Sequence, residues 1–205
     1  MIKVALVGAQ DAGKTTLARL LTGSFSAEGY LSYYVAEYCR DYLQKIKSDQ
    51  PLTLPEELDI IREQVKREQE VPDTAELMVT DSPICLAYVY SLLRCKLGSM
   101  SKKDLVYLEK IYDELWDSWS YDMVFYLVPT WEPRADGVRP VELLSQNEDI
   151  DVMIQGFLDL HHVIYTGLAS DTISNWSGTL TKYVELMMPR IRAELTKAGY
   201  TPRRS

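Results

Sequence analysis

Residues 2–21, IKVALVGAQDAGKTTLARLL, leave little freedom in how this chain can begin to fold. A β-branched apolar run ends at Gly8, Lys14 follows Gly13, and a second apolar run starts directly behind Thr15 and Thr16. Strand, tight turn and helix is the order this spells. Gly8, four residues, then Gly13-Lys14-Thr15 matches the phosphate-binding P-loop. Glycine lets the backbone curl so that successive N–H groups point inward at phosphate oxygens. The stretch Gly8, Ala9, Gln10, Asp11, Ala12, Gly13, Lys14, Thr15 and Thr16 is thus a candidate nucleotide cradle. Within it Lys14 would reach the β- and γ-phosphates, and the Thr15 hydroxyl would ligate Mg²⁺. The helix behind adds its positive end.

The rest of the chain continues the alternation. Strand 2–7 and helix 14–22 are followed by an expected strand at 31–36 and a short helix at 38–46. Thr53 and Glu56 form a capping box, with Pro55 in the first turn of a helix expected over 55–70. AELMVTD (75–81) reads as a buried strand, with a helix behind Pro83. Ser101 and Asp104 make a second box, before a helix whose apolar stripe is Leu105, Leu108, Ile111, Leu115 and Trp119. DMVFYLV (122–128) is another buried strand, and its exit loop carries Pro129, Pro133, Asp136-Gly137 and Pro140. A helix at 147–166, a fifth strand at 171–177 and a helix at 179–197, bending at Pro189, complete the expectation. Such alternation predicts an α/β fold with a mostly parallel five-stranded sheet flanked by helices.

At 205 residues the chain is sized for one domain, expected over 1–198, with a short basic tail at 199–205. The hydrophobic share of 46% and charged share of 25% are those of an ordinary soluble domain. No apolar run reaches membrane-spanning length, and a strand starting right after Met1 leaves no room for a signal peptide, so a cytoplasmic protein without membrane partners is expected. Cys39, Cys85 and Cys95 lack the spacing of a metal site and read as reduced thiols. His161-His162 has no acidic or cysteine partner at metal spacing. A net charge of −8 argues against a broad nucleic-acid-binding face and leaves a local basic pocket possible.

In parallel sheets ligands gather at the carboxyl ends of the strands. There the second strand delivers Glu37 and Arg40, the third delivers Asp81, and the fourth delivers VPTWEPRADGVRP with Trp131, Arg134 and Arg139. Asp81, closing an apolar run, has the form of a Walker B carboxylate and a second ligand for Mg²⁺; a helix N-cap role is its plain alternative. Glu37 could instead cap or pair within the following helix. The two arginines suit a lid at about 130–146 that closes over a triphosphate and excludes water. They serve equally as ordinary loop charges. Trp131 could stack on an acceptor ring or pack a hinge, and Asn175 and Trp176 stand where related folds hold the base, with core packing as the equal alternative for Trp176. Arg40 could grip the acceptor.

Three classes of P-loop protein compete. A guanine-reading Asn/Thr-Lys-x-Asp segment is missing where a GTPase-type switch needs it. An ATPase motor or remodeller is usually larger and carries a separate sensor region. A small-molecule kinase needs a P-loop, carboxylates facing the γ-phosphate and an arginine-bearing lid, and all three are in this sequence. Four segments, GAQDAGKTT, VAEYCRDYL, REQVKREQE before LMVTDSP, and PTWEPRADGVR, make residues 1–140 resemble the NadR-type ribosylnicotinamide kinase domain and its wider family of small P-loop kinases. The specific parts are Glu37-x-x-Arg40, the Gln64 helix and the Trp131…Asp136-Gly137-x-Arg139 lid. The chain departs from the family at Asp81-Ser82-Pro83, where Asp-Thr-Asp is common, and in the spacing between Trp131 and Asp136.

What the resemblance implies is a P-loop kinase fold moving the ATP γ-phosphoryl group to a hydroxyl of a nucleoside-like acceptor. GTP stays open as donor, and a homodimer stays open as assembly. Phage-encoded relatives add two acceptor alternatives, a deoxynucleoside monophosphate and a hydroxymethylated pyrimidine within DNA. A nucleotide sensor or adaptor using the same pocket is the non-catalytic alternative. The expected catalytic set is Lys14, Asp81, Glu37, Arg134 and Arg139, with either carboxylate as general base.

Overall fold

The computed structural model describes residues 1–46, 51–116, 120–128, 145–169 and 176–203. Five strands, β1 (Ile2–Val7), β2 (Ser32–Val35), β3 (Leu77–Thr80), β4 (Met123–Leu127) and β5 (Tyr165–Leu168), form one sheet in the order β2-β3-β1-β4-β5. Every pairing is parallel. The helices are α1 (Lys14–Ala27), α2 (Tyr38–Ile46), α3 (Leu54–Gln69), α4 (Ile84–Lys96), α5 (Lys102–Trp116), α6 (Asn147–Leu160) and α7 (Trp176–Lys197). The expected α/β class and sheet are met.

Strand β1 runs down the middle and from Val4 to Val7 is buried on both faces, which is why that stretch is continuously apolar rather than alternating. Val4 and Leu6 face a core with Leu17, Leu21 and Phe25 of α1 and Tyr183, Met187 and Ile191 of α7. Ala5 and Val7 face the other side, against Val89 and Leu93 of α4 and Ile150 and Ile154 of α6. A third cluster, with Ile61, Ile84, Leu108 and Tyr112, joins α3, α4 and α5. Each such side chain fully buried contributes about 1.5–3 kcal/mol.

Both capping expectations are met in the first turns. The Glu56 carboxylate accepts from the Thr53 N–H and hydroxyl, each at 2.7 Å. The Asp104 N–H donates to Ser101 Oγ at 3.1 Å. In α5 the expected stripe buries Leu108, with Leu105 and Leu115 partly covered beside it; Tyr112, and not the expected Ile111, joins the buried cluster. Trp119 lies outside the described residues. Helix α7 continues through Pro189.

The fifth strand of the sheet is a correction: it occupies Tyr165–Leu168, starting where the preceding helix was expected to run on to 166. Of the stretch expected as a strand, 171–177, residues 176–177 open α7. Helix α6 stops at Leu160 because His162 takes φ 54°, while the His162 and Val163 N–H groups turn back onto Asp159 and Leu158 carbonyls. The chain then extends so that Val124 to Leu127 pair with Tyr165 to Leu168. Residues 170–175 lie outside the described part.

Near the end of the chain the Met1 amino group donates to the Tyr200 hydroxyl at 2.6 Å. The Arg203 N–H donates to the Gly29 carbonyl at 3.1 Å. The side chains of residues 201–203 are exposed, but this backbone bond ties the tail to the turn after α1. Among the described residues, no helix is long and apolar enough to cross a membrane.

Candidate nucleotide-binding and transfer site

The loop from Gly8 to Gly13 leaves the central strand at its carboxyl end. Gly8 has φ +152°, and a Cβ there would stand 2.7 Å from the Leu127 carbonyl oxygen. Only glycine lets the loop pass so close to β4. Asp11 and Gly13 also take positive φ, 57° and 82°. The turn delivers α1 with no side chain hydrogen-bonded at its cap and no acidic residue in its first turn. Its N-terminal partial charge is therefore not neutralised by a nearby carboxylate of its own, a condition favouring a bound anion. Lys14 Nζ donates to the Gly8 and Ala9 carbonyls at 2.8 and 2.7 Å, which holds the ammonium over the loop.

Asp81 follows β3 and is 2% exposed. Its Oδ2 accepts from the Thr15 hydroxyl at 2.6 Å and from the Tyr34 hydroxyl at 2.7 Å. Its Oδ1 is buried and has no hydrogen-bond partner among the described residues. The cap of α4 is Pro83, which removes the plain helix-cap alternative for Asp81. Burial, followed by the Asp81 charge, raises the Tyr34 phenol pKa, so Tyr34 stays protonated and donates. The Arg19 guanidinium lies 5.6 Å from the Tyr34 ring centroid. The Thr15 hydroxyl and the Asp81 carboxylate, one oxygen of which has no partner among the described residues, are hard oxygen donors of the kind Mg²⁺ takes. Thr15 and Asp81 fit that ion.

Glu37 follows β2 and Arg40 lies in the first turn of α2, with Arg40 Nε 3.8 Å from Glu37 Oε2. The Glu37 side chain is 13% exposed and that of Arg40 37%. Helix α2 buries none of its residues, so an apolar core does not fix this pair. Polar ties from α3 do. Gln64 Oε1 accepts the Tyr38 N–H at 2.8 Å. Arg67 donates to the Ala36 carbonyl at 3.2 Å and to Asp41 at 2.7 Å. The Tyr42 hydroxyl donates to Glu56 at 2.9 Å.

Helix α6 reaches the loop as well, where Asn147 Nδ2 donates to the Gln10 carbonyl at 3.1 Å. Tyr34, Arg67 and Asn147 were not singled out from the sequence. An aromatic in a β-strand, a cation in a charged helix and an amide after a polar loop carry no distinguishing pattern. Trp131, Arg134, Arg139 and Asn175 lie outside the described residues, as does the expected lid up to residue 144; Trp176 opens α7.

A family model described as an AAA domain matches residues 3–175. The chain belongs to that family. No curated protein matches the sequence. Among solved structures, a NadR protein in complex with NR is similar at TM-score 0.74 and 19% identity, over 99% of this chain and 53% of that one. A NadR protein with NAD and AMP-PNP gives 0.72 and 16%, over 100% and 51%. A deoxyadenosine kinase from M. mycoides with dCMP and dCDP gives 0.64 and 14%, over 94% and 100%. The chain thus spans about half the length of the NadR structures. It shares its fold with both proteins, and the resemblance read from the sequence is met at that level.

Proposed function

We propose that this chain is an ATP-dependent phosphotransferase acting on a hydroxyl of a nucleoside-like acceptor. The observation that carries the reading is the junction of Thr15 and Asp81 at 2.6 Å beneath the loop, beside the strand end that bears Glu37. The loop N–H groups and Lys14 bind the triphosphate of ATP. Mg²⁺ held by Thr15 and Asp81 would neutralise charge on the β- and γ-phosphates. The acceptor oxygen forms a bond to the γ-phosphorus as the bond to the ADP oxygen breaks. The acceptor proton passes to a carboxylate, Glu37 or Asp81, leaving ADP and a phosphate ester. Arg134 and Arg139 serve as lid cations stabilising the transferring group, and Arg40 as a grip on the acceptor. Trp131 serves as a stacking surface for the acceptor, and Asn175 and Trp176 as neighbours of the donor base.

An uncharged hydroxyl acceptor is favoured over a phosphate acceptor because it needs a base, and a carboxylate stands at two adjacent strand ends. The structural neighbours named with NR and with deoxynucleotides support a nucleoside-sized acceptor. The test offers γ-labelled ATP or GTP with Mg²⁺ to nicotinamide riboside, the nucleosides, deoxynucleoside monophosphates and hydroxymethyluracil-containing DNA. Label on a nucleoside-class molecule is the expected result. Label on DNA or a monophosphate redirects the acceptor class. Nucleotide binding without transfer to any acceptor overturns the reading in favour of a sensor.

A further inference from the structure

Asp81 is held by a residue outside the P-loop. Tyr34 belongs to the edge strand β2, in register with Val79 and one step before the Val35–Thr80 pair. Its ring packs against the core cluster that includes Leu17 and Leu21. From there its hydroxyl reaches Asp81 Oδ2 at 2.7 Å, the same oxygen that takes the Thr15 hydroxyl at 2.6 Å. A carboxylate can otherwise rotate about its terminal torsion, which is broad. Two donors from different elements on one oxygen remove that rotation, and they leave Oδ1 buried and, among the described residues, unpartnered.

We infer that Tyr34 is a positioning residue for metal binding, locking Asp81 so that Oδ1 is the oxygen presented to a divalent cation at the nucleotide. This rests on the reading of the site as a magnesium–nucleotide site. The division of labour is specific: the Tyr34 hydroxyl donates to the carboxylate proposed for the metal, and Tyr34 stands on β2, outside the Gly8–Thr16 loop proposed for the phosphates. Its loss should therefore weaken the metal-dependent part of nucleotide binding and spare the metal-free part. Tyr34→Phe removes the donor alone, since the ring and its core contacts remain.

The test is calorimetric titration of AMP-PNP into wild type and Tyr34→Phe, with Mg²⁺ and with EDTA. The expected result is EDTA affinity within about twofold of wild type and a magnesium-dependent gain reduced about tenfold, the scale of one hydrogen bond to a charged group. In an Asp81→Asn background the same substitution should change the magnesium gain little, because the two residues act as a unit. An unchanged gain in Tyr34→Phe, an equal loss with and without Mg²⁺, or full additivity with Asp81→Asn would overturn the inference. A wild type that binds AMP-PNP equally with Mg²⁺ and EDTA would overturn the underlying site reading itself, and the role of Tyr34 with it.

Discussion

The guanidinium carbon of Arg67 lies 4.8 Å from the ring centroid of Tyr38, so a cation on α3 clamps the first residue of α2. With its bonds to Ala36 and Asp41, this contact stands in for the missing apolar anchor of α2. A cation–π contact contributes about 0.5–1 kcal/mol and a charged hydrogen bond about 1.5–3. Arg67→Ala should therefore raise amide hydrogen exchange across residues 38–42 about tenfold or more. Transfer to the acceptor should fall, and AMP-PNP affinity should not change. Unaltered exchange in α2 would show that Arg67 does not hold it.

Asp81→Asn keeps the size of the side chain and removes its charge. Phosphoryl transfer should drop by about 10²-fold or more if the metal and proton roles meet there. Circular dichroism should report an intact fold. A loss of less than about threefold would assign Asp81 a structural role only.

The ion pair of Glu57 on α3 with Arg94 on α4 is buried, at 4% and 8% exposure. Arg94 also donates to the Leu52 carbonyl. Removing one partner strands the other charge, at about 3–5 kcal/mol. Arg94→Ala should lower the melting temperature by about 10 °C in a chain of this size. The double variant Glu57→Leu with Arg94→Met should recover most of that loss. If both variants melt alike, the stranded charge is not the cause.

Far from the P-loop, Glu68 accepts from the Tyr121 hydroxyl at 2.9 and 3.0 Å, beside a cavity of about 160 Å³ that Met1, Lys3 and Val71 help to line. Burial pushes its pKa from 4.5 to about 7. The folded state thus binds this proton more tightly than the unfolded state. Its stabilising effect is complete below about pH 4.5, falls as pH rises toward 7, and is gone above it. Melting temperature should decline across pH 5–8 by a few degrees more in wild type than in Glu68→Gln. Parallel pH profiles would refute the shift.

Most of the architecture was legible because local signals agreed with the global fold. Gly8, Gly13 and Lys14 specified strand, loop and helix, and the Thr53–Glu56 box marked the start of α3. The fifth strand was misread because YTGL, with Gly167 in its middle, is a short weak strand signal. Ile164 and Tyr165 fit the helical stripe of α6 just as well. The helix end depends on His162 at φ 54°, a conformation the sequence does not announce with a glycine. Lys14, Thr15, Asp81 and Glu37 were legible because each stands at a strand end or in a motif. Tyr34, Arg67 and Asn147 act by reaching across 47, 26 and 137 positions of chain, distances over which local pattern carries no information.

The most direct test is a single-turnover transfer assay with γ-labelled ATP, Mg²⁺ and a nucleoside acceptor, comparing wild type with Lys14→Ala. The expected result is a labelled phosphate ester from wild type and none from the variant, with the variant's circular dichroism unchanged. Full turnover by a folded Lys14→Ala protein would contradict phosphoryl transfer at this loop.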